Sequence, residues 1–206
     1  MRQMTSHDAM GAGQLAVKRL ADVVCASVGL VVLSPVFLLI SVLMKCQKNG
    51  PVIFRQMRIG YGGRPFVIYK FRTMSSVVEE EGPQLVAQCD DTNSTRLEQF
   101  LRGHHLDELP QLWNVLKGDM SLVGPRPERK FFIDQIMQHT DRYALIYEMR
   151  PGLTSEAAIY NGYTDTIEKM LRRLEMDIHY LENRTLWLDL KIIMKTFLNI
   201  VTGKKF

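Results

Sequence analysis

The chain is poor in cysteine and lacks several patterns that define other classes of protein. Its three cysteines, Cys25, Cys46 and Cys89, have neither CxxC nor metal-ligand spacing. A sparse, odd-numbered set excludes a disulfide framework and is typical of a reducing compartment. The sequence also contains no repeats and no low-complexity segments. We therefore expect the 206 residues to form one domain, with at most an appended segment.

A strong charge of either sign is missing as well. The 26 Lys and Arg residues exceed the 22 Asp and Glu residues by only four, so the composition indicates no nucleic-acid partner. Hydrophobic residues make up 46% of the chain and charged residues 23%, which is ordinary for a folded protein. Global disorder is therefore excluded, and the informative features must be local.

Charge is absent altogether from residues 23–44, a run of 22 residues. As a straight helix this run would be ~33 Å long, against ~30 Å for the hydrocarbon core of a bilayer. A cleaved signal peptide fits poorly, since the run is long and no small-residue cleavage site follows it. A buried core helix would normally keep a polar face. The run therefore predicts a membrane segment.

A serine–proline pair, Ser34 and Pro35, divides this run near its middle. Proline removes a backbone hydrogen bond and clashes with the preceding turn, and the Ser34 hydroxyl can satisfy a freed backbone group. Both flanks are basic, and no acidic residue lies between Lys45 and Val78. The positive-inside rule then places both ends on the cytoplasmic side. A straight span cannot satisfy this rule, so we favour a re-entrant hairpin.

These observations predict three segments. Residues 1–22 would be an N-terminal interfacial segment, with Asp22 at the membrane interface. Residues 23–44 would form the re-entrant membrane helix, and residues 45–206 a cytoplasmic domain.

The segment after the membrane run has the pattern of a β-hairpin. Val52–Met57 and Pro65–Phe71 are rich in β-branched and aromatic residues, and three glycines between residues 60 and 63 supply the turn. The cations Lys70 and Arg72 either attract anionic lipid headgroups or bind phosphate. Residues 79–93 are acidic and rich in turn formers, which predicts a surface loop.

Two adjacent carboxylates, Asp107 and Glu108, follow a short helix predicted to be capped by Ser94 or Thr95. Asp107 is a good N-cap type for a second helix over residues 109–116. Capping and chemistry are compatible here, because a helix N-terminus keeps a carboxylate ionised and its free N–H groups can bind phosphate. An ionised aspartate is also a credible nucleophile toward phosphorus.

Two apolar patterns with helical spacing occupy the last third of the chain. Ordinary core packing explains the first pattern. The second has two interpretations, core packing or contact with the membrane interface beside Lys204 and Lys205. The first pattern is Ile167, Met170, Leu171, Leu174, Ile178 and Leu181, and the second is Trp187, Leu190, Met194, Phe197 and Val201.

Four motifs together resemble the bacterial sugar transferase family, whose members are monotopic phosphoglycosyl transferases. The resemblance runs from about Lys18 to Val201, and its central block is long and specific. The motifs are KFRTM (70–74), LDELPQLWNVLKGDMSLVGPRP (106–127), RPGLT (150–154) and LWLDLK (186–191).

The resemblance implies a membrane-bound enzyme that moves a phosphosugar from a UDP-sugar to undecaprenyl phosphate and releases UMP. Such enzymes initiate the assembly of capsule, exopolysaccharide, O-antigen or glycoprotein glycans. It further implies a site on the cytoplasmic face of the bacterial inner membrane, among membrane lipids. The sugar and the glycan pathway stay open, as does self-association into a homo-oligomer.

Residue roles follow from the same resemblance. Asp107 matches the nucleophile and Glu108 the second acid of the dyad, with Mg²⁺ bound near both. By the same resemblance, Arg126 matches the phosphate-binding arginine. Its flanking prolines restrict the backbone, and guanidinium binds phosphate oxygens bidentately. Three further residues, Lys70, Arg72 and Asp189, lie in matching motifs as candidate phosphate or substrate contacts.

The chain departs from the family pattern in two places. His105 replaces the usual Ser before Leu106; it either joins the acid–base network or faces solvent together with His104. Ala158 stands near an expected Gln and Tyr163 where an Arg is common, which affects donor recognition rather than catalysis.

The sequence thus predicts an α+β fold with a re-entrant helix-break-helix anchor, a small β-hairpin and packed or interfacial helices. An enzyme is the favoured function. A catalytically silent membrane adaptor, or a lipid- or nucleotide-binding module on the same scaffold, are the alternatives.

Overall fold

The computed structural model describes residues 7–47, 50–73, 94–161, 164 and 166–202. In this part of the chain, helices surround two small two-stranded sheets, in agreement with the predicted α+β class. Short 3₁₀ helices cover Tyr61–Gly63, Leu106–Glu108 and Asp141–Glu148. The helices and strands are α1 (Ala12–Val32), α2 (Ser34–Cys46), β1 (Ile53–Ile59), β2 (Pro65–Phe71), α3 (Arg96–Gly103), α4 (Gln111–Lys117), β3 (Ser121–Val123), α5 (Lys130–Met137), β4 (Gly152–Thr154), α6 (Glu156–Asn161), α7 (Ile167–Asn183) and α8 (Leu186–Thr202).

The predicted break in the apolar run is confirmed. Helices α1 and α2 meet at Leu33 with a bend of 57°, and the Ser34 hydroxyl donates a hydrogen bond to the Val31 carbonyl at 2.7 Å. Pro35 lies in the first turn of α2, where its missing N–H costs no helical hydrogen bond. Within the described ranges, no single helix is long and apolar enough to cross a bilayer, whereas α1 and α2 together meet that length and composition.

Each half of the bent pair buries one side in the protein. Ala26 of α1 belongs to one core cluster with Ile68 of β2, and Ile40 of α2 belongs to another with Phe71. The opposite faces of the pair expose apolar side chains, among them Val24, Val28, Val31, Val32, Leu38, Leu39, Val42 and Leu43.

The start of α1 lies within the predicted N-terminal segment and is held by buried charges. The helix begins at Ala12 and runs without interruption past residue 22. Lys18 is buried, donates to the Val123 carbonyl at 3.1 Å and pairs with Asp189. The carboxylate of Asp22 is buried too and accepts a hydrogen bond from the backbone N–H of Leu122 at 3.0 Å. Asp22 therefore has a structural contact inside the protein, and its position at the membrane interface stays a prediction.

The hairpin prediction is confirmed, with the first strand two residues longer at its end than expected. Strands β1 and β2 pair antiparallel from Ile53 opposite Phe71 to Ile59 opposite Pro65. The connection contains Gly62 and Gly63, both with positive φ, a conformation that glycine adopts without strain. The predicted acidic loop at 79–93 lies outside the described residues.

The second sheet joins two of the sequence motifs. Strands β3 and β4 run parallel, with Ser121 opposite Gly152 and Val123 opposite Thr154. Gly152 lies so close to Gly124 that a Cβ on it would overlap the Gly124 backbone, within 2.1 Å of its nitrogen. The glycines therefore allow the backbone of the RPGLT segment to pack directly beside the GPRP segment.

Helix α7 packs as its pattern predicts, whereas α8 does not. Met170, Leu174, Ile178 and Leu181 are all buried in the main core with α5 and the 3₁₀ helix over 141–148. On α8, Trp187 is 64% exposed, and Leu190, Met194 and Phe197 are also exposed. Core packing of this second pattern is therefore wrong. The Val201 side chain, Lys204 and Lys205 lie outside the described residues.

Candidate active site

The carboxylate pair lies on a 3₁₀ turn between two short helices. Helix α3 begins after Thr95, whose hydroxyl accepts from the Glu98 N–H while Glu98 accepts from the Thr95 N–H, as predicted for a cap. Asp107 does not cap the next helix, because α4 begins only at Gln111, after Pro110. Leu106–Glu108 form a separate 3₁₀ turn, in which the Leu109 N–H donates to the Leu106 carbonyl at 3.3 Å.

His105 makes the turn into the dyad. It has φ of 54°, a left-handed conformation that is uncommon for a residue with a Cβ but enriched in histidine. The His105 side chain is half-buried. Burial lowers its pKa, although the negative charge of Glu108 raises it in part. His105 therefore belongs to the charge environment of the dyad. His104 is half-buried and stacks on Phe100 with ring centroids 4.2 Å apart.

Four of the predicted site residues converge. The Lys70 ammonium donates to Glu108 Oε1 at 2.6 Å, and Arg126 Nη2 lies 3.5 Å from the same oxygen. Asp107 is 8% exposed. Lys70 precedes Glu108 by 38 residues in the sequence and Arg126 follows it by 18, yet both contact the same carboxylate.

The electrostatic environment shifts the pKa values of Asp107 and Glu108 in opposite directions. Burial alone would raise the pKa of Glu108, but Lys70 and Arg126 outweigh it and hold this pKa well below its usual range. Burial, followed by the Glu108 charge, raises the pKa of Asp107 to about 6, and Lys70 partly offsets this rise. Adjacent carboxylates with divergent pKa values are a recurrent property of catalytic pairs. The pKa values of the two carboxyl groups are thus shifted in opposite directions, that of Glu108 downward and that of Asp107 upward.

A buried asparagine positions Lys70 opposite Glu108. Asn114 of α4 is fully buried; its side chain accepts from the Tyr69 N–H at 3.1 Å and donates to the Val67 carbonyl at 2.7 Å. Because Tyr69 and Val67 lie on β2, Asn114 joins the helix after the dyad to the strand that carries Lys70. Sequence reasoning missed this residue, since nothing in its local pattern indicates a cross-strand contact.

Arg126 is displayed by a rigid segment. Pro125 and Pro127 are buried while the Arg126 side chain is 42% exposed. The Gly152 N–H donates to the Pro125 carbonyl at 2.9 Å, which fixes the loop to β4. The guanidinium therefore projects toward the dyad from a backbone that is held in place.

The other predicted site residues lie elsewhere. Arg72 is buried at the end of the hairpin, and its guanidinium fills the space beside Gly50. Asp189 is buried on α8, where it accepts hydrogen bonds from Lys18 and the Tyr180 hydroxyl. In the described part of the chain, no contact joins either residue to Glu108. Ser34 and Pro35 stand at the bend of the α1–α2 pair, as predicted.

Comparison with known proteins shows to which family the chain belongs. The family model described as bacterial sugar transferase matches residues 13–203. The chain belongs to the bacterial sugar transferase family. Its motifs, including the dyad and the arginine between two prolines, all lie inside the matched range.

Three relatives illustrate the range of donors within the family. A protein of Aeromonas hydrophila, named UDP-N-acetylgalactosamine-undecaprenyl-phosphate N-acetylgalactosaminephosphotransferase, is 42% identical over 91% of this chain. Proteins of Klebsiella pneumoniae and Caulobacter vibrioides, both named UDP-glucose:undecaprenyl-phosphate glucose-1-phosphate transferase, are 43% identical over 87% and 44% identical over 90%. The matched regions span 44%, 39% and 70% of these relatives, respectively. Since the identities are similar, they do not distinguish between the two sugars.

The two departures in the donor region have different positions. Ala158 lies on α6, where its N–H donates to the Ser155 hydroxyl at 2.9 Å. Tyr163 lies outside the described residues.

A metal site built from protein ligands alone is not present in the described ranges, where no group of three or more His, Cys, Asp and Glu side chains is suitably clustered. The adjacent carboxylates of Asp107 and Glu108 nevertheless fit Mg²⁺, which is often bound by one or two carboxylates together with substrate phosphates.

Proposed function

We propose that this protein transfers a phosphosugar from a UDP-sugar to undecaprenyl phosphate and releases UMP, with Asp107 as a covalent nucleophile. The observation that carries the proposal is the buried Asp107 beside Glu108, which is held between Lys70 and Arg126. The names of the relatives support the same donors and acceptor. Such enzymes would begin the assembly of a bacterial glycan.

In the first half-reaction, an Asp107 carboxylate oxygen forms a bond to the β-phosphorus of the donor. The bond between this phosphorus and the bridging oxygen breaks, and UMP leaves with the electron pair. Arg126 binds diphosphate oxygens through its planar fork, and Lys70 adds a second positive charge. Because Lys70 and Arg126 compensate the negative charge of Glu108, this carboxylate repels the incoming phosphate less than an unpaired one would.

In the second half-reaction, a phosphate oxygen of undecaprenyl phosphate attacks the phosphorus held on Asp107. The bond to Asp107 breaks, its carboxylate is restored, and undecaprenyl diphosphosugar is the product. Glu108 orients the acceptor and the cations during this step. The two steps predict ping-pong kinetics.

Asp107 and Glu108 would hold Mg²⁺ together with the donor diphosphate. When bound, the ion neutralises diphosphate charge and stabilises the leaving UMP. Lys70 and Arg126 supply the remaining positive charge from the protein.

The bent α1–α2 pair is the proposed membrane anchor, entering the bilayer and returning to the cytoplasmic face of the inner membrane. Its outward apolar side chains and those on α8 support this placement. The active site would then face the cytoplasm, where UDP-sugars are made, close to the lipid acceptor.

Intact-protein mass spectrometry tests the proposal. Donor and Mg²⁺ without lipid should give wild-type protein carrying one phosphosugar and at most one equivalent of UMP, barring slow hydrolysis. Asp107→Asn should fold but gain no mass, and Glu108→Gln should slow turnover while leaving some labelled intermediate. If Asp107→Asn still acquires the phosphosugar, the nucleophile is another residue.

The same assay separates the alternatives. A silent adaptor releases no UMP under any condition, and a binding module retains donor without releasing UMP. An enzyme that uses no covalent intermediate releases UMP only when undecaprenyl phosphate is present.

A further inference from the structure

The side chain of Arg126 is held only weakly by the dyad. Its single described contact there is Nη2 to Glu108 Oε1 at 3.5 Å, the long limit of a hydrogen bond, and the side chain is 42% exposed. A bidentate phosphate contact requires the guanidinium to be placed within a fraction of an ångström. Its position must therefore come from the backbone of the loop that carries it.

The loop after Arg126 is joined to strand β1 at two consecutive residues. Arg58 Nη1 donates to the Pro127 carbonyl at 3.1 Å, and the Ile59 N–H donates to the Glu128 carbonyl at 3.1 Å. Within the Arg58 guanidinium, Nη1 makes the hydrogen bond to the loop, whereas Nε is buried without a hydrogen-bond partner. These bonds fix the backbone within two residues of Arg126.

The Glu128 side chain completes this attachment. Its Oε2 lies 3.6 Å from Arg58 Nη1, and its Oε1 accepts a short hydrogen bond from Arg173 of α7. All three side chains are at least four-fifths buried, with exposures of 17% for Glu128, 15% for Arg58 and 12% for Arg173. One carboxylate therefore bridges β1 and α7 directly behind the loop that displays Arg126.

The charges around Glu128 explain why a carboxylate is needed there. Burial, with a smaller contribution from the nearby Arg126, lowers the pKa of Arg58 to about 10, although Glu128 opposes this shift. The pKa of Arg173 is shifted in the same way: burial and the charge of Arg126 lower it, and the charge of Glu128 raises it. Without Glu128, three guanidiniums would repel one another across a poorly solvated region. The exposed Arg126 would move most easily.

We propose that Glu128 is the positioning residue for Arg126: by bridging Arg58 and Arg173, it sets where the Arg126 guanidinium meets the donor diphosphate. This inference rests on the proposed function. No described contact joins the Glu128 side chain to Asp107 or Glu108, so Glu128 acts through Arg126 and takes no part in the bonds that form or break.

A double-mutant cycle tests the proposal, with single-turnover release of UMP as the readout. Glu128→Gln keeps the shape of the side chain but removes its charge. We expect a loss of about tenfold in an otherwise wild-type protein. In an Arg126→Lys background, where the planar fork is already gone, the same change should cost less than about twofold. An equal loss in both backgrounds, or no loss in either, overturns the positioning role.

Two further variants keep the test decisive. Glu128→Asp retains the charge but shortens the side chain by one methylene. If Glu128→Gln fails to fold, the double-mutant cycle with Arg126→Lys is measured with Glu128→Asp instead. Its loss should also shrink in the Arg126→Lys background. Glu175→Gln is the matched control, because it removes an exposed ion pair between α7 and Arg142. It should leave UMP release unchanged.

The wild-type protein separates failure of the inference from failure of the function. Wild-type protein that releases no UMP with any UDP-sugar overturns the proposed function and the positioning role with it. Wild-type release combined with additive effects of Glu128→Gln and Arg126→Lys overturns the positioning role alone. Thermal midpoints of all variants show whether any loss reflects unfolding.

Discussion

Two ion clusters in this protein contain a carboxylate between two hydrogen-bond donors, yet they differ in exposure. At Asp189, the donors are Lys18 and Tyr180, and the Lys18 and Asp189 side chains are each 9% exposed. At Glu108, the donors are Lys70 and Arg126, and the Arg126 side chain is 42% exposed. One cluster is closed and the other opens to the surface.

The two clusters also differ in how their charges are paired. Lys18 and Asp189 form a one-to-one pair that joins α1 to α8, and the Lys18 ammonium also donates to the Val123 carbonyl. In the other cluster, Lys70 and Arg126 face the adjacent carboxylates of Asp107 and Glu108. A closed pair of opposite charges has no contact to spare for a ligand. An open cluster with a partly exposed guanidinium is suited to bind phosphate.

The largest expected effect concerns topology, because both the closed cluster and the helix break hold α1. Ser34→Ala with Pro35→Leu should straighten the anchor and move the N-terminal tail across the membrane. Labelling of a cysteine at Gly11, in a protein without its native cysteines, measures the side on which the tail lies. A cysteine at Lys205 should remain cytoplasmic.

Ser41→Ala with Val42→Leu is the matched control, since it changes the same helix away from the bend. If the tail of the Ser34/Pro35 variant stays inside, the Lys18–Asp189 pair rather than the break determines the topology.

Next in size is the effect of opening the closed cluster. Asp189→Asn leaves the Lys18 ammonium buried without a compensating charge, which should cost about 3–5 kcal/mol of stability. Thermal midpoints in detergent measure this loss, and activity per folded molecule should be unchanged. A variant with a wild-type midpoint and no activity would instead support the phosphate-contact role that the family resemblance predicts for Asp189.

A change in the open cluster should affect chemistry and not stability. Arg126→Lys keeps the charge but loses the bidentate fork, so kcat/KM for the donor should fall by roughly 10- to 100-fold, or about 1.4–2.8 kcal/mol of transition-state stabilisation. The thermal midpoint should stay within about 2 °C, since the side chain is partly exposed. Wild-type turnover would reduce Arg126 to a structural residue.

The smallest effect is expected at Asp177, a buried carboxylate behind the Glu128 bridge. Burial raises its pKa to about 7, although Arg173 opposes the rise. The folded state therefore binds a proton more tightly than the unfolded state, and stability falls as pH increases from about 4 to about 7. Asp177→Asn should then stabilise the protein at pH 8 by on the order of 1–2 kcal/mol and change little at pH 4.5.

Thermal midpoints at both pH values measure this difference. The exposed Asp134→Asn serves as control, and an equal shift at both pH values would mean that packing, and not ionisation, is responsible.

Local sequence signals predicted much of the fold. Pro35 indicated the helix break, the glycines between residues 60 and 63 indicated the hairpin, and the capping residues Ser94 and Thr95 indicated the start of α3. These signals succeed because each acts within a few residues, through a missing N–H, a positive φ or a side-chain cap. The predicted cap at Asp107 is wrong, because Leu106–Glu108 form a 3₁₀ turn and α4 begins only at Gln111.

The periodic pattern of α8 had two interpretations, and periodicity could not choose between them. The same spacing places apolar side chains on one face whether that face meets a protein core or a membrane. The tertiary structure decided against core burial. Helices α5 and α7 pack in the main core, while Trp187, Leu190, Met194 and Phe197 stay exposed.

The sequence by itself determined the family, the acidic dyad and the arginine between two prolines, because each is written in adjacent residues. Only the tertiary structure decided which charges meet: Lys70 at Glu108, Lys18 at Asp189, and Arg58 and Arg173 at Glu128. Ion pairs between distant segments leave no local pattern, since a lysine or arginine looks the same in sequence whether it faces solvent or a buried carboxylate. Burial and distance, which give each charge its energy, exist only once the chain is folded.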